Sequence, residues 1–276
     1  MSWRKKKKEI RKIKHKAILL ICLMFAVVIG LVLLLIFRII NNSTNYYKVD
    51  SRIEEMKNIE QIKNTGFKTI GWLKIQGTDI DLPIVYSDNK SEAFPVELES
   101  FGWARRKFDK NSTYYDITGH NIFNLSSTPK IKSDMFNRFE QLMAFVYYDF
   151  AKENEYIQLS VENKDYIFKI FSTGFIDKGT TSFFPTKSDA SKNDIKRLIE
   201  TFKENSLYEY DIDVNANDKI ISLSTCTRFN GTNTDVEFYV VGRLIRDGEN
   251  INHYKVTKNK GYKNIEKKLK GDENNE

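Results

Sequence analysis

The amino-acid sequence predicts a mainly β-stranded domain, decorated by helices, behind one N-terminal membrane helix. Residues 17–37 run uncharged for 21 positions, and at about 1.5 Å rise per residue they match a bilayer's hydrocarbon core of roughly 30 Å. Beyond residue 66, short runs rich in Val, Ile, Tyr and Phe alternate with turn residues, which is typical of a closed or sandwich-like sheet. These runs are residues 69–76, 79–86, 113–118, 155–161, 165–176, 218–225 and 236–246.

Three helices are predicted outside the membrane stretch. Residues 50–64 begin behind a Ser51 or Asp50 cap and carry a helical apolar stripe of Ile53, Met56, Ile59 and Ile62. Further helices are expected at about 133–152 and about 189–204. The chain therefore divides into a basic segment 1–16, an anchor 17–40, a helical lead-in 41–65, one main domain 66–250 and a polar, Lys-rich tail 251–276. The tail favours a solvated or frayed terminus, with attraction to an anionic surface as the second interpretation.

The flanks of the apolar stretch predict its orientation. Residues 1–16 contain nine Lys or Arg and one Glu, so the N-terminus is expected in the cytoplasm and the chain beyond about residue 41 outside the cell. A cleaved signal peptide is the competing interpretation. The apolar stretch is too long for one, and no small-x-small cleavage site follows it.

The charge distribution argues against a nucleic-acid-binding protein. The whole chain has a formal charge of +7, but residues 41–276 carry 34 basic and 36 acidic residues. The positive charge lies on the membrane anchor, whereas a nucleic-acid binder carries it on the folded domain.

One cysteine and one histidine are candidates for chemistry. Cys226 is the only cysteine outside the apolar stretch, which contains Cys22. In an oxidising exterior Cys226 has no disulfide partner, so it is either a small buried apolar residue or a reactive thiol. Among the three histidines, His15 is in the basic segment and His253 in the tail, which leaves His120 in the main domain.

Cys226 and His120 each follow a predicted strand, where a side chain is both held and exposed. A thiolate nucleophile needs a neighbouring base or cation, and histidine can supply one near neutral pH. The dispersed Cys and His residues form no zinc-binding pattern, and no glycine-rich phosphate loop is present, so neither a metal nor a cofactor is expected.

At these residues the sequence resembles the sortases, cysteine transpeptidases of Gram-positive cell surfaces. The resemblance rests on TGHN at residues 118–121 and SLSTC at residues 222–226. The GHN form, the segment GWLKIQGTDIDLPIVYSDN at residues 71–89 and a helix between the two central strands resemble class B. The resemblance covers roughly residues 50–247.

The resemblance implies an eight-stranded sortase barrel and a thiol mechanism that needs no metal. Cys226 would attack the carbonyl after the Thr of a C-terminal sorting pentapeptide on a surface protein. An amine from a peptidoglycan precursor or a pilin lysine would then resolve the acyl-enzyme. His120 would act first as the acid and then as the base. Ser224, Thr225 and Asn121 would contact the substrate.

The sequence departs from the family at one position. Sortases place an arginine at the start of the last strand, and alignment of EFYVVGRLI on that strand puts Glu237 there. Arg243 would share the face of Glu237 but about 20 Å along the strand. Arg228, two residues after Cys226, is the predicted substitute, with a solvated loop cation as the alternative. If Arg228 does not substitute, the chain is a weak or inactive sortase-like module that binds sorting signals or a surface partner.

Overall fold

The computed structural model describes residues 3, 14, 16, 18–36, 62, 65–89, 98, 100–121, 138–179, 184–227, 229 and 235–272. The chain forms two compact units, Met1–Lys48 and Val49–Glu276. Apart from Ile62, the predicted helix at residues 50–64 lies outside the described residues, as does Arg228.

The first unit contains one apolar helix. Helix α1 (Ile18–Ile36) is long and apolar enough to cross a membrane by length and composition, and a signal sequence would satisfy the same criteria. Its apolar side chains are exposed on all sides. A helix that is apolar on every face is typical of a membrane span.

The second unit is built on a closed eight-stranded barrel, which confirms the predicted fold class. Its strands follow each other around the barrel in the order β1, β2, β3, β4, β8, β9, β6, β5. Two further strands, β7 and β10, form a separate two-stranded sheet. The strands are β1 (Lys68–Ile75), β2 (Asp81–Tyr86), β3 (Gly102–Ala104), β4 (Tyr114–Gly119), β5 (Tyr156–Val161), β6 (Lys164–Asp177), β7 (Tyr208–Tyr210), β8 (Ile220–Cys226), β9 (Val236–Leu244) and β10 (Val256–Lys258).

Each of the seven predicted runs overlaps one of these strands, with ends that differ by at most two residues. The sequence analysis missed β3, β7 and β10, which are three residues long. A period-two pattern cannot be recognised over so short a segment.

Helices cover the barrel at two places. Residues 138–146 (Arg138–Val146) form a 3₁₀ helix, followed by the short helix α2 (Tyr148–Glu153), where the sequence predicted one longer helix. Helix α3 (Lys192–Glu204) confirms the third predicted helix. It begins with a capping box, because Ser191 accepts from the Asp194 amide and the Asp194 side chain accepts from the Ser191 amide.

The described part of the C-terminal tail is folded, so the prediction of a frayed terminus is wrong there. Strand β10 pairs with β7, and helix α4 (Tyr262–Asp272) follows it. Three of its apolar side chains, Tyr262, Ile265 and Leu269, join the main core. Their helical spacing is the reason: one apolar face is enough to dock a helix that is otherwise rich in lysine.

The two faces of the barrel wall differ. The inner face carries the main apolar core, which includes Leu73, Ile84, Ile117, Leu223 and Val240. On the outer face, α3 packs its apolar stripe against residues of β4, β8 and β9. The members of this outer cluster include Ile195, Leu198, Ile199 and Phe202 from α3, and Tyr114, Ile220, Tyr239 and Val241 from the strands. Cys226 also lies on this outer face. It is the last residue of β8, and Ile220 is the first.

A buried charge cluster anchors the end of β9 that is remote from Cys226. The carboxylate of Glu249 accepts hydrogen bonds from Arg243 Nη2 at 2.6 Å and from Lys169 Nζ at 2.7 Å. Both cations are buried, with 2% and 7% of their surfaces exposed. The Arg243 hydrogen bond is the largest cause that lowers the pKa of Glu249 to about 2.

This cluster gives a stability prediction. Glu249→Gln leaves two buried cations without their carboxylate, so the free energy of unfolding at pH 7 is expected to fall by about 3–5 kcal/mol. Because the pKa of Glu249 is lowered on folding, its contribution is complete above its ordinary pKa of 4.5 and is lost as the pH falls towards about 2. Urea unfolding at pH 7 and pH 3 checks this: the difference between parent and variant should shrink at pH 3. An equal difference at both pH values would contradict the assignment.

Candidate active site

Two parallel strands bring Cys226 and His120 together. Strand β4 pairs with β8 in a parallel register whose last pair is Gly119 with Thr225. Cys226 is the last residue of β8 and His120 directly follows β4, so the two residues lie at the same edge of neighbouring strands, whose axes are typically about 4.8 Å apart. Cys226 is a free thiol, and both residues are partly exposed. A nucleophile and a base therefore lie side by side at the open end of the outer face.

Two contacts fix the register of this pair. The hydroxyl of Thr225 donates to the carbonyl of Gly119 at 2.9 Å and ties the strand ends together. Gly119 itself packs under the ring of Phe139, and a Cβ at this position would lie 2.2 Å from that ring. A glycine is therefore required directly before His120, because a side chain would displace the strand end from the 3₁₀ helix.

An aromatic ring orients the histidine. The ring of Trp103 meets the imidazole of His120 edge to face, with centroids 4.5 Å apart and an interplanar angle of 88°. Trp103 lies on β3 and pairs with Thr118 of β4. This arrangement restricts rotation of the imidazole while one side of it remains accessible.

Glu237 lies directly opposite Cys226 and is neutralised by an arginine. The two residues form a cross-strand pair between β8 and β9. Arg105 Nη2 contacts the Glu237 carboxylate at 2.6 Å and 2.8 Å. Glu237 is buried, so its charge requires such a partner. The Glu237 carboxylate is therefore part of an ion pair rather than an isolated negative charge beside the thiol.

The other residues predicted to bind substrate, Ser224, Thr225 and Asn121, are all buried. Ser224 is on the face of Cys226, and its hydroxyl donates to Thr118 Oγ1 at 3.3 Å. Thr225 is fully buried on the inner face, which leaves only its main chain for a contact with a substrate. Asn121 is 3% exposed, and among the described residues neither polar atom of its amide has a hydrogen-bond partner.

A buried polar chain continues down the outer face from the site. The hydroxyls of Tyr114 and Ser222 are 2.8 Å apart, and Ser222 donates to Asp116 at 3.2 Å. Asp116 forms an ion pair with Arg106. Burial raises the pKa of Tyr114 to about 12, so its phenol stays protonated at neutral pH.

A cavity of about 670 Å³ opens beside the site on its β3 side. It is lined by Tyr86, Trp103, Arg105, Arg106, Thr118 and Lys187, among others. We call it the β3 cavity. Within the described ranges, no group of three or more His, Cys, Asp or Glu side chains could hold a metal ion.

Known proteins with this sequence pattern and this barrel are sortases. The chain is 24% identical over 209 residues to sortase B of Listeria monocytogenes, covering 71% of this chain and 74% of the relative. Sortase B of Clostridium perfringens is 25% identical, with a TM-score of 0.54, and the match covers 70% of this chain and 100% of that one. A Staphylococcus aureus sortase B–substrate complex shares the fold, with 16% identity, a TM-score of 0.52 and coverage of 71% and 86%. No family model matches the chain.

The chain is similar to class B sortases in sequence and in fold.

Within this sortase-like site, the structure brings some of the residues selected from the sequence together and not others. Cys226, His120 and Ser224 share one open edge, as the two strand ends require. Arg243 is buried in the Glu249 cluster at the other end of β9, as its spacing from Glu237 predicted. Arg228 lies outside the part of the chain that the structure describes.

Sequence reasoning missed Arg105. It follows a strand of three residues, and it reaches a glutamate 132 positions away in the sequence. One signal could have pointed to it. A buried glutamate on a largely apolar strand requires a cationic partner. Arg105, Arg106 and Lys107 form a basic run to which no role was assigned from the sequence.

Proposed function

We propose that this chain is a membrane-anchored cysteine transpeptidase that cleaves a sorting signal after Thr and transfers the acyl group to an amine. The observation that supports this proposal most directly is that Cys226 and His120 lie next to each other at the ends of two paired parallel strands. The sortase relatives support a transpeptidase fold of cysteine enzymes.

In the first half-reaction, the Cys226 thiolate attacks the carbonyl carbon of the Thr residue in the sorting signal. A C–S bond forms, the C–N bond breaks, and His120 gives its proton to the leaving amine. In the second half-reaction, an incoming amine attacks the thioester carbonyl. A C–N bond forms, the C–S bond breaks, and His120 takes the proton that the amine loses. The two half-reactions restore the thiolate and the protonated imidazole.

The proposed partners follow from this reaction. The acyl donor is a surface protein with a C-terminal sorting signal, and the acceptor is an amine of a peptidoglycan precursor or a pilin. Ser224 and Asn121, with the main chain of Thr225, are the proposed contacts to the sorting peptide. A cation near the developing oxyanion is also required, because one such donor is typically worth about 10²–10³ in rate. Arg228 is the candidate that the sequence selects for this role. No cofactor is proposed.

An inactive binding module is the second candidate function. The sequence alignment that puts Glu237 at the position of the family's arginine favours it. The two functions differ in their products, so the test is a reaction of the full-length chain in detergent with fluorogenic Pro- and Thr-containing pentapeptides and with glycine or lysine amines. Mass spectrometry should find the acyl group joined to the amine. Peptide binding without any cleaved or transferred product would support the binding module.

The proposed topology has a separate test. Nine basic residues precede the apolar stretch, so the main domain is expected outside the cell and the N-terminus in the cytoplasm. Protease added to intact protoplasts should digest the main domain and leave a short anchored stub. Protection of Cys226 from both protease and a membrane-impermeant thiol reagent would reverse the orientation.

A further inference from the structure

The ion pair between Arg105 and Glu237 crosses the outer face of the barrel. Arg105 directly follows β3 and Glu237 lies on β9, and strands β4 and β8 lie between them. The guanidinium reaches across these strands and also approaches Thr118 Oγ1 of β4, at 3.4 Å. Thr118 in turn is hydrogen-bonded to Ser224 of β8. The ion pair therefore lies over Thr118 and Ser224. Each of these is two residues before His120 or Cys226 and lies on the same face of the barrel wall.

The position of Glu237 brings this guanidinium close to the thiol. Glu237 and Cys226 are directly opposite in the antiparallel pair, where Cβ atoms are about 4.5–5.5 Å apart. The two side chains differ in exposure, with 7% of the Glu237 side chain accessible and 28% of the Arg105 side chain. An almost buried carboxylate thus holds an accessible guanidinium beside the nucleophile.

The Arg105 guanidinium keeps donors for a ligand. Among the described residues, its hydrogen bonds to Glu237 and Thr118 all come from Nη2. The N–H groups of Nη1 and Nε can therefore donate elsewhere. Arg105 also lines the β3 cavity, so a peptide that extends from this cavity to Cys226 would pass the guanidinium.

We propose that Arg105 is the substrate-binding arginine of this enzyme and that Glu237 positions it. The inference rests on the proposed function. Arg105 donates hydrogen bonds to the carbonyl oxygen of the acyl group on Cys226, while Glu237 fixes the direction of the guanidinium. In this arrangement Glu237 on β9 holds the guanidinium in place, and the arginine itself comes from the residue after β3.

Single substitutions in the full-length enzyme test the two roles. Arg105→Gln should lower kcat/KM for the pentapeptides by about 10²-fold or more, as removal of an oxyanion donor typically does. Alkylation of Cys226 by iodoacetamide should stay within about threefold of the parent rate, because this small reagent needs no guanidinium contact. Arg246→Gln is the matched control. Like Arg105, Arg246 binds a buried carboxylate, that of Asp218, here through Nε and Nη2. Asp218, however, lies just before the start of β8, at the end remote from Cys226. The kcat/KM of Arg246→Gln should remain at the parent value.

The charge swap separates a positioning glutamate from a damaging one. Glu237→Arg alone places two guanidinium groups together and removes the anchor, so kcat/KM should fall at least about tenfold. The double variant Arg105→Glu with Glu237→Arg restores the pair and puts the guanidinium on β9. It should recover at least about tenfold over either single variant, the coupling expected of residues in contact.

Three outcomes would overturn the inference. They are an Arg105→Gln variant within about threefold of the parent, a Glu237→Arg variant that is faster than the parent, and a loss confined to Arg228→Gln. A parent enzyme without turnover would instead overturn the proposed function. In that case the inference is tested with a Thr-terminated peptidyl chloromethyl ketone. The ratio of its rate of alkylation of Cys226 to the rate with iodoacetamide must fall in Arg105→Gln. An unchanged ratio overturns it.

Discussion

Replacement of Cys226 by alanine is expected to abolish cleavage and transfer, a loss of at least about 10⁴-fold, as for other catalytic nucleophiles. The thiol at the end of β8 is the proposed nucleophile that forms the acyl intermediate, and His120 cannot activate a methyl group in its place. The measurement is the initial rate of pentapeptide cleavage by the full-length chain, with and without an amine. The barrel should be unaffected, because Cys226 is partly exposed and forms no disulfide.

Cys22→Ala is the matched control for this result. It removes the chain's other thiol, which lies in the apolar helix α1, and should leave the rate at the parent value. Cleavage by Cys226→Ala at the parent rate would rule out the thiol mechanism. Equal losses in both variants would indicate a general effect of cysteine removal rather than a nucleophile at Cys226.

His120→Ala has the second largest expected effect. Loss of a general acid–base group typically slows turnover by about 10²–10⁴-fold. Both half-reactions pass a proton through this imidazole, so cleavage and transfer should fall together. The pH profile of kcat/KM should also lose one limb. Rates of both half-reactions at several pH values provide the measurement.

His253→Ala is the control for the histidine. His253 is also paired, with its Nδ1 2.7 Å from the Glu155 carboxylate, but it lies in the tail and its side chain is 83% exposed. Its replacement should leave both the rate and the pH profile unchanged. A His120→Ala variant that retains the parent profile would show that another group moves the proton.

The sequence predicted the parts of this structure that depend on local pattern. The seven runs of β-branched and aromatic residues became strands because their side chains fit a pleated, half-buried surface. Helix α3 followed from its apolar spacing, and the structure adds the capping box at Ser191. Cys226 and His120 could be selected because they are the only residues of their kinds in the main domain.

Pairings between distant strands could not be derived from local pattern. Strands β4 and β8 are about 100 residues apart, and only the sortase resemblance implied that Cys226 and His120 meet. Strand β3 is too short to show a period, yet it delivers Trp103 to His120 and Arg105 to Glu237. Without this pairing, no counterpart of the family's arginine was found, and a substitute for it was predicted in the nearest loop, at Arg228.

Composition also misled the analysis of the C-terminal tail. The many lysines suggested a solvated terminus, although three apolar residues at helical spacing were enough to dock α4 on the core. Net composition averages over the faces of a helix, whereas docking depends on one face.

The central claim is that Cys226 carries the acyl group between two amines. Its most direct test is intact-protein mass spectrometry of the full-length chain, mixed with the pentapeptides in the absence of an amine. A mass increase equal to the acyl fragment should appear, map to the peptide that contains Cys226, and disappear when an amine is added. Turnover of the peptides without any adduct at Cys226, or with the same adduct in Cys226→Ala, would contradict the claim.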